Sequence, residues 1–175
     1  MIITLTGFMG CGKTSTGRAL GALLSWDVID LDAAVENRAG KTVAEIFAQE
    51  GENAFRALEK ELLAQILSRK DENTILALGG GTVKDKDNLD LIKRSSECIY
   101  LRASASSLAE WLSEEMAEKS RPLLSRSGGV SLESHIASML EEREPYYLAA
   151  ADEIVDVDGL DYDGTALRIK EILSI

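Results

Sequence analysis

Residues 7–14 read Gly-Phe-Met-Gly-Cys-Gly-Lys-Thr, an unbroken G-x-x-x-x-G-K-[ST] pattern. Before it stands a short apolar, β-branched run, Ile2 to Thr6, that suits a buried strand. After it, Ala19, Leu20, Leu23 and Leu24 recur at helical spacing. Strand, glycine-rich turn and helix in that order restrict the fold more than any other feature of the chain. Gly7, Gly10 and Gly12 let backbone N–H groups converge on an anion without a Cβ in the way. Lys13 adds a mobile positive charge for β/γ-phosphates, and the Thr14 hydroxyl is a Mg²⁺ ligand in such loops. The helix that follows turns its positive end toward the phosphates. Motif and context together imply a nucleoside triphosphate site.

The rest of the sequence limits what else that site serves. At 175 residues, 45% hydrophobic and 28% charged, the chain fits one domain over 1–175 with a sizeable core. With two prolines and no repeat, linker or low-complexity tract, it shows no internal boundary. A net charge of −11 argues against a nucleic-acid partner, which needs a basic face. No apolar run is long enough to span a bilayer, and the start shows no basic segment followed by a cleavage site, so a cytoplasmic protein is expected. Cys11 and Cys98 form neither a disulfide framework nor a metal set, and His135 has no second histidine. Cys11, inside the phosphate loop, is either an oxidation-sensitive thiol or a tolerated small residue. With no exposed apolar stripe evident, a monomer is expected.

Strands and helices alternate along the chain. Further strands are expected at Val28-Ile29, Thr74 to Leu78, Cys98 to Leu101 and Glu153 to Val157. Helices broken at Gly40 and Gly51 are expected between Ala33 and Leu67, and others over Asp87 to Lys93, Ala105 to Leu112, Leu132 to about Leu148, and Tyr162 to Leu173. The polar stretch from Ser113 to Gly129 reads as a loop or lid. Alternation of this kind means a parallel sheet covered on both faces, with ligands at the carboxyl ends of its strands.

Several residues near those ends carry chemistry. Asp30 and Asp32 follow the second strand, and the period-two geometry of extended chain turns both carboxylates one way. Beside a phosphate loop they suit Mg²⁺ and a substrate hydroxyl; otherwise they are a solvated pair at a loop start. At about 100° per residue, Phe55, Leu58, Leu62, Leu63, Ile66 and Leu67 form an apolar stripe that contains Arg56 and Glu59, close enough to pair. Arg143 falls near the centre of the stripe of Leu132, Ile136, Met139 and Leu140, just before Pro145, which is expected to kink the helix. A guanidinium on a buried stripe needs an anion, either a distant structural carboxylate or an anionic substrate held bidentately. Gly79-Gly80-Gly81 either bares its N–H groups to a ligand or makes a tight turn. Arg121, in the polar stretch, is either an ordinary exposed residue or a lid arginine that stabilises charge developing on the γ-phosphate.

The ordered set of these elements resembles the shikimate kinase family from end to end. The resemblance rests on residues 7–14, Asp30-Leu31-Asp32, and Ile46-Phe47 through Gly51-Glu52 to Phe55-Arg56 and Glu59. Leu78-Gly79-Gly80-Gly81, Arg121-Pro122-Leu123-Leu124 and Arg143-Glu144-Pro145-Tyr146-Tyr147 complete it. It implies a three-layer α/β/α, nucleoside-monophosphate-kinase-like P-loop fold whose five-stranded parallel sheet has the order 2-3-1-4-5. It also implies a substrate-binding segment at about 31–62 and a lid at about 112–124. The implied reaction is Mg²⁺-assisted, in-line, ATP-dependent phosphorylation of shikimate to shikimate 3-phosphate, a step toward aromatic amino acids.

By position, Gly10, Cys11, Gly12, Lys13, Thr14, Ser15 and Arg121 would bind ATP, with Thr14 on Mg²⁺ and Asp30 reaching the ion through water. Asp32 would bind shikimate hydroxyls and accept a proton. Arg56 and Arg143 would grip the carboxylate, Gly80 and Gly81 would offer N–H groups, and Phe47, Phe55 and Pro122 would pack around the ring. Two basic positions that the family uses around adenine are missing. Ser113-Glu114-Glu115 and Asp156-Val157-Asp158-Gly159 stand there, so loose selectivity for the nucleotide base is expected. A gluconate kinase and a non-catalytic nucleotide-binding regulator are the rival readings.

Overall fold

Five short strands, Ile2–Thr6 (β1), Asp27–Asp30 (β2), Thr74–Ala77 (β3), Glu97–Arg102 (β4) and Glu153–Asp156 (β5), form one sheet in the order β2-β3-β1-β4-β5. Every pairing is parallel, with β1 central and Ile3 set against Ile75 on one side and Glu97 on the other. This is the computed structural model of the chain, and it describes residues 1–69, 72–119 and 131–175. The central strands β1 and β3 are buried at every residue, as expected for a sheet covered on both faces, whereas edge strand β5 buries only Val155.

Eight helices are described: Lys13–Leu24 (α1), Leu31–Ala39 (α2), Val43–Gln49 (α3), Glu52–Leu67 (α4), Lys86–Ser95 (α5), Ala105–Lys119 (α6), Leu132–Ala150 (α7) and Tyr162–Leu173 (α8). The breaks at Gly40 and Gly51 occur where the sequence places them: Gly40 closes α2 at φ 66° and Gly51 opens α4 at φ 86°. Thr42 and Glu45 form a reciprocal capping box that starts α3 after the first break. Leu5, Leu20, Ile75, Ile99 and Ile169 are fully buried between sheet and helices. Each contributes roughly 1.5–3 kcal/mol relative to an exposed side chain. No helix among the described residues is long and apolar enough to cross a membrane.

One local expectation needs correction. Helix α6 does not stop at Leu112 but runs on to Lys119, so the first part of the polar stretch is helical. Its residues, Ser-Glu-Glu-Met-Ala-Glu-Lys, are mostly strong helix formers, and polarity alone does not end a helix. Helix α7, expected to about Leu148, runs to Ala150 with Pro145 inside it, and it buries Tyr147 beyond the proline.

Candidate active site

At the carboxyl end of β1 the chain turns through Gly10 at φ 82° and Gly12 at φ 88°, and α1 begins at once with the Thr16 N–H donating to the Gly12 carbonyl at 2.8 Å. The Lys13 ammonium lies over this loop and donates to the carbonyls of Gly7 and Phe8, each at 2.9 Å. Thr14 Oγ1 donates to Asp30 Oδ2 at 2.5 Å. The other Asp30 oxygen accepts from the Ala33 N–H at 3.0 Å and so caps α2. That cap corrects the reason given for the aspartate pair. Asp30 ends the strand, but Asp32 stands in the first turn of α2, so helix geometry rather than strand alternation sets its direction.

The two carboxylates nevertheless share one cavity of about 610 Å³ with Gly10, Gly12, Lys13, Thr14, Ser15 and Gly80. Asp32 is half-buried, and burial pushes its carboxyl above the ordinary range; Asp30 and Glu59 push the same way, while Lys13 and Arg56 oppose them. Cys11 is buried, and burial raises its thiol pKa against the pull of Lys13, which disfavours a reactive thiolate.

Arg56 and Glu59 pair across one turn of α4, Nη1 to Oε2 at 2.8 Å. Glu59 is fully buried, and its second oxygen accepts from Thr82 Oγ1 at 2.6 Å. Thr82 follows the glycine turn directly, so the same carboxylate holds the arginine and the turn. The fit there is close. A Cβ on Gly81 would lie 2.7 Å from Arg56 Nη2, and one on Gly79 would lie 2.8 Å from Asp32 Oδ1. Arg56 also lies over the buried Phe55 ring, 5.1 Å from its centroid, and the exposed Phe47 ring stands 5.0 Å from that of Phe55.

Arg143 reaches the turn from the opposite side. Its Cζ is 5.7 Å from the Phe8 ring centroid, and a Cβ on Gly80 would lie 3.9 Å from its Nη1. Among the described residues no carboxylate pairs with it. Its neighbour Glu144 instead accepts from the Tyr100 hydroxyl at 3.2 Å. A second opening, about 260 Å³, has Arg56, Arg143, Gly81 and Lys84 on its walls.

A phosphate loop, an acidic pair and two arginines around a glycine turn are thus one assembly, and comparison with known proteins supplies its family. The shikimate kinase family model matches residues 9–174. The chain belongs to the shikimate kinase family. Shikimate kinase from Chlorobium phaeovibrioides is 41% identical over 155 residues, covering 86% of this chain and 76% of that protein. Shikimate kinase from Bacteroides thetaiotaomicron superposes with a TM-score of 0.88 at 33% identity, covering 100% of this chain and 99% of its own. The Acinetobacter baumannii shikimate kinase, solved in complex with shikimate, gives 0.85 at 32% identity, over 99% and 93% of the two chains. The chain is accordingly a phosphotransferase with ATP as co-substrate.

Within this shikimate kinase framework, most of the residues named from sequence line one of the two openings, while Phe47 and Phe55 line neither. Lys13, Thr14, Asp30 and Asp32 line the larger one, Arg56, Gly81 and Arg143 the smaller, and the glycine turn stands between them. Cys11 lines neither; it faces a third cavity of about 270 Å³ with Trp111, Leu160 and Tyr162. Arg121 and Pro122 lie outside the described residues.

Tyr162, Trp111 and the Tyr147 hydroxyl escaped the sequence reading, and Gly79 entered it only as part of the glycine turn. Gly79 leaves room for Asp32 and Glu59, and Tyr162 packs so tightly on Gly12 that a Cβ there would lie 2.8 Å from its ring. Trp111 lines both the phosphate cavity and the one beside it. Tyr147 donates its hydroxyl to the Gly80 carbonyl at 2.7 Å. Only Tyr147 had a signal, its place one helical turn beyond Arg143.

Proposed function

We propose that the chain transfers the γ-phosphoryl group of ATP to the 3-hydroxyl of shikimate, with substrate and nucleotide meeting at Asp32. One observation carries this reading: Arg143, without a carboxylate partner among the described residues, opens with Arg56 on the same glycine turn that borders the phosphate cavity. A carboxylate held there leaves the hydroxylated side of a small ring to meet Asp32.

In this reading the loop amides and Lys13 hold the phosphates, and Asp32 orients the attacking hydroxyl and accepts its proton. Phosphoryl transfer draws mainly on such positioning and charge stabilisation. Arg56 and Arg143 with the N–H groups of Gly80 and Gly81 fix the carboxylate, and Phe47 and Phe55 border the ring. The fit to Mg²⁺ is testable on the donor set. Thr14 directs its proton to Asp30, which leaves the hydroxyl lone pairs for a cation, and both donors are hard oxygens. Thr14 would hold the ion directly and Asp30 through water, and the bound ion would neutralise charge on the β- and γ-phosphates. A substrate without the carboxylate leaves Arg143 without a carboxylate partner, while Arg56 keeps Glu59, and that penalty favours a carboxylate-bearing substrate.

A coupled assay of ADP release, run in parallel with shikimate and gluconate, tests the proposal. Turnover with shikimate and little with gluconate is expected. Turnover with gluconate alone, or with neither, overturns it.

A further inference from the structure

Tyr147 is a fully buried side chain of α7 that reaches the glycine turn of the carboxylate site. It lies four residues after Arg143, on the same helical face. Its ring packs against Tyr100 with centroids 5.3 Å apart, and its hydroxyl donates to the Gly80 carbonyl at 2.7 Å. Burial pushes the hydroxyl up to about 12, against the pull of the Arg143 charge and hydrogen bond, so it remains a protonated donor.

The geometry of the peptide unit gives this bond a consequence. The carbonyl of Gly80 and the N–H of Gly81 belong to one planar trans peptide and point in opposite directions. Anchoring the oxygen on Tyr147 therefore aims the Gly81 N–H away from α7. Among the described residues neither the Gly80 nor the Gly81 N–H has a hydrogen-bond acceptor. Free N–H groups on a turn between two arginines are suited to an anion, and their direction is set from behind.

We propose that Tyr147 is a positioning residue for the substrate carboxylate, fixing the Gly80–Gly81 peptide and the neighbouring Arg143 in one arrangement. This rests on the reading of the site as a shikimate carboxylate clamp. It parallels Glu59 on the other side, which holds both Arg56 and Thr82.

Tyr147→Phe keeps the ring against Tyr100 and deletes only the hydroxyl. The KM for shikimate is expected to rise roughly five- to twenty-fold, with kcat within about twofold and the ATP KM unchanged. The loss of affinity on replacing shikimate by its methyl ester should also shrink in this variant, because the clamp that reads the carboxylate is already loosened. A fluorotyrosine at position 147, nearly the same shape with a more acidic hydroxyl, gives a second reading should the Phe variant not fold. Its shikimate KM should move. A lower Tm with KM and the ester ratio unchanged, in whichever variant folds, overturns the proposal. If wild-type protein does not phosphorylate shikimate, the parent reading and this one fail together; if it does, these variants judge Tyr147 alone.

Discussion

Asp32 is half-buried, flanked by Asp30 and Glu59 as well as by Lys13 and Arg56, and the net effect on its carboxyl is an upward shift led by burial. A base must be ionised, so kcat/KM should fall as the pH drops through this raised pKa, earlier than an ordinary carboxylate near about 3.9 would impose. Asp32→Asn should depress kcat by about 10²-fold or more and abolish that acid limb. Stability should move the other way. The folded protein bears the full cost of the Asp32 charge above its raised pKa, and that cost shrinks as the pH falls through this value and is gone below the unfolded one. Asn at this position should therefore resist urea better than Asp at pH 7, with the difference closing toward pH 4; a less stable variant at pH 7 would contradict the shift. Arg143→Ala, by contrast, should raise the shikimate KM roughly 10- to 100-fold, the range for a hydrogen bond to a charged group, with a smaller effect on kcat. An unchanged KM removes the carboxylate clamp. At this scale the sequence was informative because charge on an apolar stripe is conspicuous: Arg56, Glu59 and Arg143 stood out by helical angle alone. The shift on Asp32 was not legible, since burial leads it and three of the four charges acting on the carboxyl come from distant parts of the chain.

The glycine turn makes an element-level prediction, because its three residues face different neighbours. A methyl group on Gly79 would meet Asp32 at 2.8 Å and the buried Glu59 and Thr82 at 3.0 Å, so Gly79→Ala should destabilise the fold and lower activity together. On Gly81 it would meet the Arg56 guanidinium at 2.7 Å, so Gly81→Ala should displace the arginine and raise the shikimate KM. On Gly80 the nearest atom is 3.6 Å away, and the residue borders the phosphate cavity. Gly80→Ala should keep the wild-type Tm yet still weaken substrate binding. Thermal melts and initial rates on the three variants check the order, and equal effects on all three would show that the turn acts only as a bend. The sequence presented this turn as ambiguous between tight turn and N–H donor, and the close approach of Arg56, Asp32 and Glu59 shows that it is at least a tight turn. Strands were legible because a doubly covered parallel sheet makes them apolar runs. The end of α6 was not, because Ser113-Glu114-Glu115 suits a solvated helix face as well as a loop.

Across the whole molecule, alternation of strands and helices required a parallel sheet but not its strand order, which came only from family resemblance. The same limit applied to the nucleotide: the motif predicts where its phosphates bind and leaves its base unplaced. The fold now narrows the choice. The phosphate cavity and the 270 Å³ cavity beside it share Gly10, Trp111 and Tyr162, so a triphosphate on the loop can place its base against the second, among Trp111, Val157, Leu160 and Tyr162. The acidic residues near that cavity serve the fold. Asp156 binds Arg102 through two hydrogen bonds at 2.5 and 2.9 Å, Asp158 accepts from the Ser104 N–H, and Asp161 caps α8. Thr16, Asp161 and Thr165 also line this cavity, but its aromatic walls, Trp111 and Tyr162, would stabilise any base by stacking, worth roughly 1–3 kcal/mol and tolerant of base identity. Trp111→Ala should therefore raise KM for ATP and GTP alike, by roughly 5- to 150-fold on that scale, and wild-type kcat/KM for the two should agree within about tenfold, since stacking does not read the base edge. Initial rates with both nucleotides at saturating shikimate decide the matter. A preference for ATP beyond about 10²-fold would mean that a specific hydrogen bond reads the adenine edge, and stacking on Trp111 would then be the lesser part of base recognition.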